Sequence, residues 1–133
     1  MNTVAGLKQA LPYLRLYSGK VFVIKMGGEI VEEEEILDQF GTQVSLLNRL
    51  GIHVVVVHGG GRQATELARS LGLRVEVVNG RRVTDAQTLE VAKMVFNGKL
   101  NTEILASLSR NQVTAVGLSG VDSGLIAAVR RPV

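Results

Sequence analysis

The chain has 133 residues and a mass of 14.3 kDa, the size of one domain with its own hydrophobic core. Its 46% apolar and 20% charged residues exclude a disordered chain, and the absence of cysteine excludes disulfides, thiolate metal sites and cysteine nucleophiles. A net charge of +3 with only 4% aromatic residues argues against a nucleic-acid partner. No apolar run reaches the ~18 residues of a membrane span, so we expect a cytoplasmic protein. We expect the small excess of basic residues to bind small anionic ligands.

The N-terminal residues predict an amphipathic helix over 4–17. Pro12 should kink or divide this helix. Its apolar stripe consists of Val4, Leu7, Leu11 and Leu14. We expect residues 1–20 to form a helical arm, which packs on its own domain or docks on another subunit, and residues 21–133 to form the ligand-binding lobe.

Two buried strands are predicted, and each runs into a glycine turn. The first, residues 21–26, ends at Gly27 and Gly28, and the second, residues 53–57, ends at His58 and the glycines 59–61. Helical spacing follows both turns, over 36–50 and from 62 to 71. Because parallel strands present their carboxyl ends at one edge of a sheet, we expect the two turns to lie together there.

The rest of the chain continues the alternation of strands and helices. We predict an extended stretch at 74–78, an Asn79–Gly80 turn, a capping box at 84–87, helices at 89–96 and 99–110 separated at Asn97–Gly98, a strand at 113–116, a loop at 117–124 and a strand at 125–129. This order predicts an α/β fold, a three-layer α/β/α sandwich with a mainly parallel sheet.

The glycine turns and the nearby cations indicate an anion site. Glycines allow backbone N–H groups to approach oxyanions closely, and the helix that follows adds partial positive charge. Lys25 lies in an apolar strand just before the first turn, where an unpaired ammonium would be costly and a transferring phosphoryl group would neutralise it. Arg81 and Arg82 follow the predicted Asn79–Gly80 turn, and a guanidinium can bind a carboxylate through two parallel hydrogen bonds. We expect His58 to hydrogen-bond the backbone.

A dinucleotide site is the competing interpretation of the second turn. Residues 59–64 match the loose pattern G-x-G-x-x-A, which requires an acidic residue at the end of the next strand for the ribose. Glu76 comes about five residues earlier than that spacing demands. No Gly-Lys-Ser/Thr follows either turn, so a Walker-type phosphate loop is excluded.

Four segments in this order, VFVIKMGGE, VVVVHGGG, NGRRVTD and AVGLSGVDSG, resemble the amino-acid kinase family, and the similarity runs from about Leu7 to Arg130. The resemblance implies the amino-acid kinase fold and ATP-dependent phosphorylation of the side-chain carboxylate of N-acetyl-L-glutamate in arginine biosynthesis. The opening ALPYLRLYSGK resembles the helix through which arginine-inhibited members join dimers into a hexamer. It therefore implies a homo-oligomer, and L-arginine as a possible inhibitor.

The family's site residues carry over one by one. The resemblance makes Lys25 the catalytic lysine that stabilises the transferring phosphoryl group, and Arg82 the clamp on the substrate's α-carboxylate. The turns would bind phosphate and substrate carboxylate, through Gly27 and Gly28 for the first and Gly60 and Gly61 for the second. ATP with Mg²⁺ would serve the complete enzyme, with no metal site expected here. The family's nucleotide-binding half should follow Val133, so we expect this lobe to be inactive alone.

Three alternatives remain open. The motifs also resemble the kinase-like, arginine-sensing domain of N-acetylglutamate synthase, although those domains tend to lose the lysine at position 25 and the intact turn at 58–61. The segments LSGVDSG and RVTDAQTLE also fit an aminoadipate-type kinase of lysine biosynthesis. A non-catalytic module that assembles through its N-terminal arm is the third.

Overall fold

A computed structural model describes residues 3–78 and 81–129, with the side chains of residues 3–5, 7, 81 and 82 left out of the description. The elements in chain order are α1 (Thr3–Tyr17), β1 (Val21–Met26), α2 (Glu29–Glu32), α3 (Glu34–Arg49), β2 (His53–His58), α4 (Gly61–Ser70), β3 (Val77–Val78), β4 (Arg81–Arg82), α5 (Ala86–Lys93), a π-helix (Met94–Leu100), α6 (Asn101–Arg110) and a 3₁₀ turn (Asp122–Gly124).

The central sheet consists of β1 and β2, which pair in parallel from Val21 opposite His53 to Met26 opposite His58. The crossover between them is helical, as a parallel connection requires. β3 and β4 form a separate antiparallel hairpin. The predicted α/β class with a parallel sheet is therefore confirmed.

Side chains alternate between the two faces of the sheet. The helices cover one face, where Met26 is 1% exposed and joins buried side chains of α3, α4, α5 and α6 in one core. Val23 and Val55 point to the opposite face and are 68% and 47% exposed. The described ranges contain no helical layer over that face, so two of the three predicted layers are seen.

The predicted helix break at Asn97–Gly98 is wrong. The chain stays helical from Ala86 to Arg110, because α5 passes through the π-helix directly into α6. Asparagine and glycine disfavour an α-helix, yet buried Val95 and Leu100 on either side of them pack into the core and keep the segment helical. A widened π-turn accommodates the weak residues, as such turns do inside longer helices.

The strands predicted at 113–116 and 125–129 are not formed. Both segments are irregular, and Val116 and Val129 are 80% and 94% exposed. Residue 113 instead closes the end of α6, since its N–H donates to the carbonyl of Leu108 over 2.9 Å. Apolar, β-branched sequence becomes a strand only where it pairs with another strand, and within the described chain neither segment has a strand partner.

Two helices, α1 and α5, differ from their predictions. α1 continues through Pro12 undivided, and its side chains Leu11 and Leu16 are exposed. The predicted capping box began at Thr84, but the N-cap of α5 is Asp85, whose carboxylate accepts the N–H of Thr88 over 2.8 Å. Asp85 therefore does the capping, because its carboxylate is a stronger acceptor than the Thr84 hydroxyl.

Over the described residues, no helix is both long and apolar enough to cross a membrane.

Candidate anion-binding site at the sheet edge

The two glycine turns meet at the carboxyl edge of the parallel sheet, as predicted. Met26 and His58 are paired at the ends of β1 and β2, and the N–H of Gly59 donates to the carbonyl of Met26 over 3.0 Å. The hydrogen bond that follows the last strand pair is therefore donated by the first glycine of the second turn. The sheet register therefore fixes where the turns sit.

The turns approach each other most closely at Gly28, where a side chain would displace its neighbours. A β-carbon on Gly28 would lie 3.0 Å from the Cα of Gly60 and 2.7 Å from Oε1 of Gln63. A β-carbon on Gly59 would lie 3.7 Å from the backbone nitrogen of Gly28, which is an ordinary van der Waals contact, so the steric restriction applies to Gly28. The absence of side chains at Gly28 and Gly60 brings the two backbones together, and the Glu29 carboxylate lies against Gly27 at the same edge.

Gly60 also lies directly against the π-helix. A β-carbon there would overlap the Leu100 side chain and come within 2.8 Å of the Phe96 ring. Both side chains belong to the π-helix. The π-helix, which the sequence did not predict, therefore supports the second turn from below.

α4 begins at Gly61 and presents its N-terminus to this edge. The N-cap residue is Gly60, which has no side chain to cap the helix, and the first turn of α4 holds no acidic residue. α5, in contrast, is capped by Asp85. With no carboxylate among its own first residues, the start of α4 retains the partial positive charge of the helix dipole, which favours a bound anion.

Gln63 was not identified from the sequence as a site residue. It is only 6% exposed, and its Nε2 donates to the carbonyl of Gly28 over 2.6 Å, which joins the two turns. Its Oε1 is buried and has no hydrogen-bond partner among the described atoms. The available signal was its position four residues before Leu67, on the apolar face of the predicted helix.

Lys25 lies at the predicted place, but it is not buried. It pairs with Val57 one position before the strand end, and it points to the open face of the sheet with Val23. The ammonium is therefore solvated, and the expected burial cost does not arise. Its position next to the first turn is unchanged.

The backbone of Arg82 pairs with Val77 in the β3–β4 hairpin. Its side chain lies outside the described part, so the carboxylate clamp stays a prediction. Glu76 is exposed, and its carbonyl accepts the N–H of Val83 over 2.9 Å within the same hairpin. The dinucleotide interpretation required this residue at the end of a neighbouring strand of the parallel sheet, and that expectation is wrong.

His58 closes β2 with its ring partly buried. Its Nδ1 lies 3.2 Å from the carbonyl oxygen of Gly59, so the tautomer with a proton on Nδ1 donates to the backbone. The predicted backbone-bonded histidine is confirmed. Over residues 3–78 and 81–129, no three His, Asp or Glu side chains gather in a way that could hold a metal ion.

Comparison with known proteins gives a consistent result. The Amino acid kinase family matches residues 20–132. An acetylglutamate kinase of Symbiobacterium thermophilum is 46% identical over 98% of this chain and 44% of its own length, and one of Hydrogenobaculum sp. is 44% identical over 93% and 44%. The chain thus spans a little under half the length of these relatives.

Solved structures agree with the sequence matches. N-acetylglutamate synthase from Neisseria gonorrhoeae, complexed with coenzyme A and N-acetyl-glutamate, superposes with a TM-score of 0.72 and 29% identity, over 87% of this chain and 27% of that one. The same enzyme with coenzyme A and L-arginine gives a TM-score of 0.69 and 28% identity, over 90% and 27%. With the family match covering most of its length and a parallel sheet that ends in two apposed glycine turns, this chain belongs to the amino acid kinase family.

Proposed function

We propose that this chain is the acceptor-binding lobe of an acetylglutamate kinase, which phosphorylates the side-chain carboxylate of N-acetyl-L-glutamate in arginine biosynthesis. The apposition of Gly28 and Gly60 at one sheet edge carries the proposal, because it provides two neighbouring main-chain surfaces for a ligand with two carboxylates. The match to acetylglutamate kinases over nearly the whole chain supports the same substrate.

Each end of the substrate has an assigned partner in this proposal. The turn of Gly60 and Gly61, with the start of α4, holds the α-carboxylate together with Arg82. The turn of Gly27 and Gly28 faces the side-chain carboxylate and the phosphoryl group it receives. These assignments follow from the family resemblance, and the partial positive charge at the start of α4 supports anion binding at the second turn.

The chemistry asks little of the protein besides position and charge. The acceptor is a carboxylate, which is anionic at neutral pH, so attack on phosphorus needs no general base. Lys25 extends from the exposed face next to the first turn and neutralises the charge that develops on the phosphoryl oxygens. Orientation of the acceptor supplies the remainder of the rate enhancement.

ATP with Mg²⁺ is the phosphoryl source that a kinase of this family uses. The described residues hold no carboxylate cluster suited to Mg²⁺, so no step is assigned to a metal on this chain. We propose that the nucleotide binds to the part of the relatives' length that the chain does not match. Phosphoryl transfer would then require that part as well.

An arginine-sensing, kinase-like domain of the synthase type is the second candidate. The superposition on the Neisseria synthase favours it. Against it, identity to the synthase is 29%, whereas identity to the Symbiobacterium kinase is 46%. Lys25 and the intact turn at 58–61 also favour the kinase.

Self-association through α1 belongs to the same proposal. Tyr13, Leu16 and Tyr17 leave α1 with exposed apolar side chains, while Tyr17 also packs its ring edge-on against Phe22 at a centroid distance of 5.4 Å. A helix with a free apolar face suits packing against a second copy. Sedimentation of the chain before and after removal of residues 1–17 tests this part.

The acceptor assignment is tested by titrating ¹⁵N-labelled chain with N-acetyl-L-glutamate. The amide signals of Gly28, Gly60 and Gly61 should shift together and saturate. N-acetyl-L-glutamine, which lacks the side-chain carboxylate, is the matched control ligand and should bind more weakly. A saturating response to L-arginine with none to N-acetyl-L-glutamate would favour the sensing domain instead.

A further inference from the structure

We propose that Gln63 is a positioning residue that fixes the distance between the two glycine turns, and so selects ligands that carry two carboxylates. The inference rests on the proposed function for the nature of the ligand. Gln63 does not contact the ligand in this account. It acts through the carbonyl of Gly28.

The hydrogen bond from Gln63 connects parts of the chain that are 35 residues apart. Its Nε2 lies 2.6 Å from the carbonyl oxygen of Gly28, while its own backbone belongs to the first turn of α4. The same carbonyl also accepts the N–H of Val31 over 3.2 Å. One side-chain amide therefore holds the start of α2 against the start of α4.

The orientation of the amide is set by chemistry. A carbonyl can only accept, so the Gln63 group that faces Gly28 must be the Nε2 donor. Oε1 then remains buried without a partner among the described atoms, 2.7 Å from where a β-carbon on Gly28 would be. A buried acceptor without a partner costs free energy, so an apolar side chain would fill this position with less loss.

The free-energy cost of the buried Oε1 is explained if the Nε2 donor of Gln63 is needed to hold the Gly28 carbonyl. Packing alone does not require a donor, and methionine has the same reach without a polar group. A further described link between α2 and α4 is the ion pair of Arg62 with Glu32, whose side chains are 59% and 31% exposed, so solvent screens it and it holds the helices only weakly. Among the described contacts, Gln63 provides the buried link between the turns.

A ligand held at both ends is sensitive to this distance, whereas a ligand held at one end is not. N-acetyl-L-glutamate would use both turns, and its second carboxylate binds well only if the first turn is already in place. N-acetyl-L-alanine has a single carboxylate and would use the second turn alone. The ratio of the two affinities therefore reports the spacing of the turns.

The experiment compares the wild-type chain, Gln63→Met and the control Gln43→Met. Gln43 is exposed on α3, so its replacement changes the same atoms away from the turns. Calorimetry gives the affinities for N-acetyl-L-glutamate and N-acetyl-L-alanine, at a temperature where circular dichroism shows each variant folded. Loss of one buried hydrogen bond predicts a fall of about tenfold in the affinity ratio for Gln63→Met and none for Gln43→Met. An unchanged ratio, or equal weakening of both ligands, would overturn the proposal.

A second measurement needs no ligand and separates this inference from the proposed function. The N–H groups of Ile30 and Val31 donate to the carbonyls of Gly27 and Gly28, so their hydrogen exchange reports the anchoring of the first turn. Gln63→Met should speed exchange at both amides by about tenfold relative to Gln43→Met. If wild-type chain does not bind N-acetyl-L-glutamate, the proposed function fails and this exchange alone decides the anchoring role. Exchange rates equal to those of the control would overturn it.

If Gln63→Met does not fold, the wild-type chain still gives an answer. One Nε2 proton of Gln63 is held on the Gly28 carbonyl, so it should exchange at least about tenfold more slowly than the side-chain amide protons of exposed Gln43. Equal exchange at the two glutamines would contradict the hydrogen bond on which the proposal depends.

Discussion

Gly28 and Gly60 stand 32 positions apart in the sequence, yet a β-carbon on Gly28 would come within 3.0 Å of the α-carbon of Gly60. The parallel register of β1 and β2 ends both strands at the same level, and the lack of side chains lets the two backbones close on each other. The proposed ligand, with two carboxylates, would therefore meet both turns at this edge.

Gly60→Ala and Gly61→Ala separate the stability of the second turn from its binding role. A methyl group on Gly60 would overlap Leu100 and Phe96, so we expect a loss of about 1–3 kcal/mol in the free energy of unfolding. A methyl group on Gly61 meets no atom within 4 Å and should leave stability nearly unchanged. If Gly61 approaches the substrate carboxylate, its variant should still bind N-acetyl-L-glutamate more weakly. Urea titration and calorimetry on both variants check this, and full-affinity binding by Gly61→Ala would contradict the role of Gly61.

Gly41→Ala and Gly98→Ala should change stability in opposite directions. Gly41 is buried where α3 meets α6, and a β-carbon there would lie 2.6 Å from Nδ2 of Asn111, which donates to Asp38 Oδ1. We expect a loss of about 1–3 kcal/mol. Gly98 is exposed in the π-helix with open space around it, so alanine should add about 0.5–1 kcal/mol. Denaturant unfolding measures both, and destabilisation by Gly98→Ala would mean that the π-helix requires glycine.

Asp85 should make stability depend on pH. The backbone N–H of Thr88, aided by its hydroxyl, donates to the Asp85 carboxylate and holds its pKa below the ordinary value. The stabilisation is therefore fully present above the pKa of the unfolded state and is lost as the pH falls through the lowered folded value. We expect Asp85→Ala to lower the free energy of unfolding at neutral pH, and the difference from wild type to shrink as the pH falls through the lowered folded pKa of Asp85.

Asp85→Asn is the matched control, because it keeps a capping acceptor that does not titrate. Its stability relative to wild type should rise as the pH falls. Thermal unfolding across the same pH range measures all three proteins. A difference between wild type and Asp85→Ala that stays constant with pH would contradict the charged cap.

Lys25→Ala tests the catalytic lysine. The assay uses the chain fused to the part of the Symbiobacterium kinase that lies beyond the match, so that turnover can be measured. Removal of one group that stabilises developing negative charge predicts a fall of about 10² to 10³ in kcat. Lys20→Ala is the control, because Lys20 is also exposed and lies just before β1, away from the turns. A fall of less than about tenfold would contradict the role of Lys25.

The sequence predicted the elements that carry their own pattern. Continuous β-branched runs gave β1 and β2, and glycines after each gave the turns, because these features are local. The level at which Gly28 meets Gly60 follows from parallel pairing, so the shared edge was also predictable. The exposure of Lys25 was missed because a continuous apolar strand suggests burial on both faces, and here one face of the sheet is open.

Long-range packing determines the features that the sequence did not predict. Asn97 and Gly98 are poor helix residues, but the burial of Val95 and Leu100 outweighs their propensity, and the predicted break became a π-helix. Residues 113–116 have strand composition without a strand partner. Gln63 could be placed on a buried face from its spacing, but its hydrogen bond to Gly28 depends on the fold and could not be read from the sequence.

The central claim is most directly tested by calorimetric titration of the wild-type chain and Arg82→Ala with N-acetyl-L-glutamate. We predict saturable binding by wild type and its loss in the variant, because the guanidinium would pair with the α-carboxylate. Circular dichroism should show both proteins equally folded. Folded wild-type chain that takes up no N-acetyl-L-glutamate, or an Arg82→Ala chain that binds it as tightly as wild type, would contradict the account.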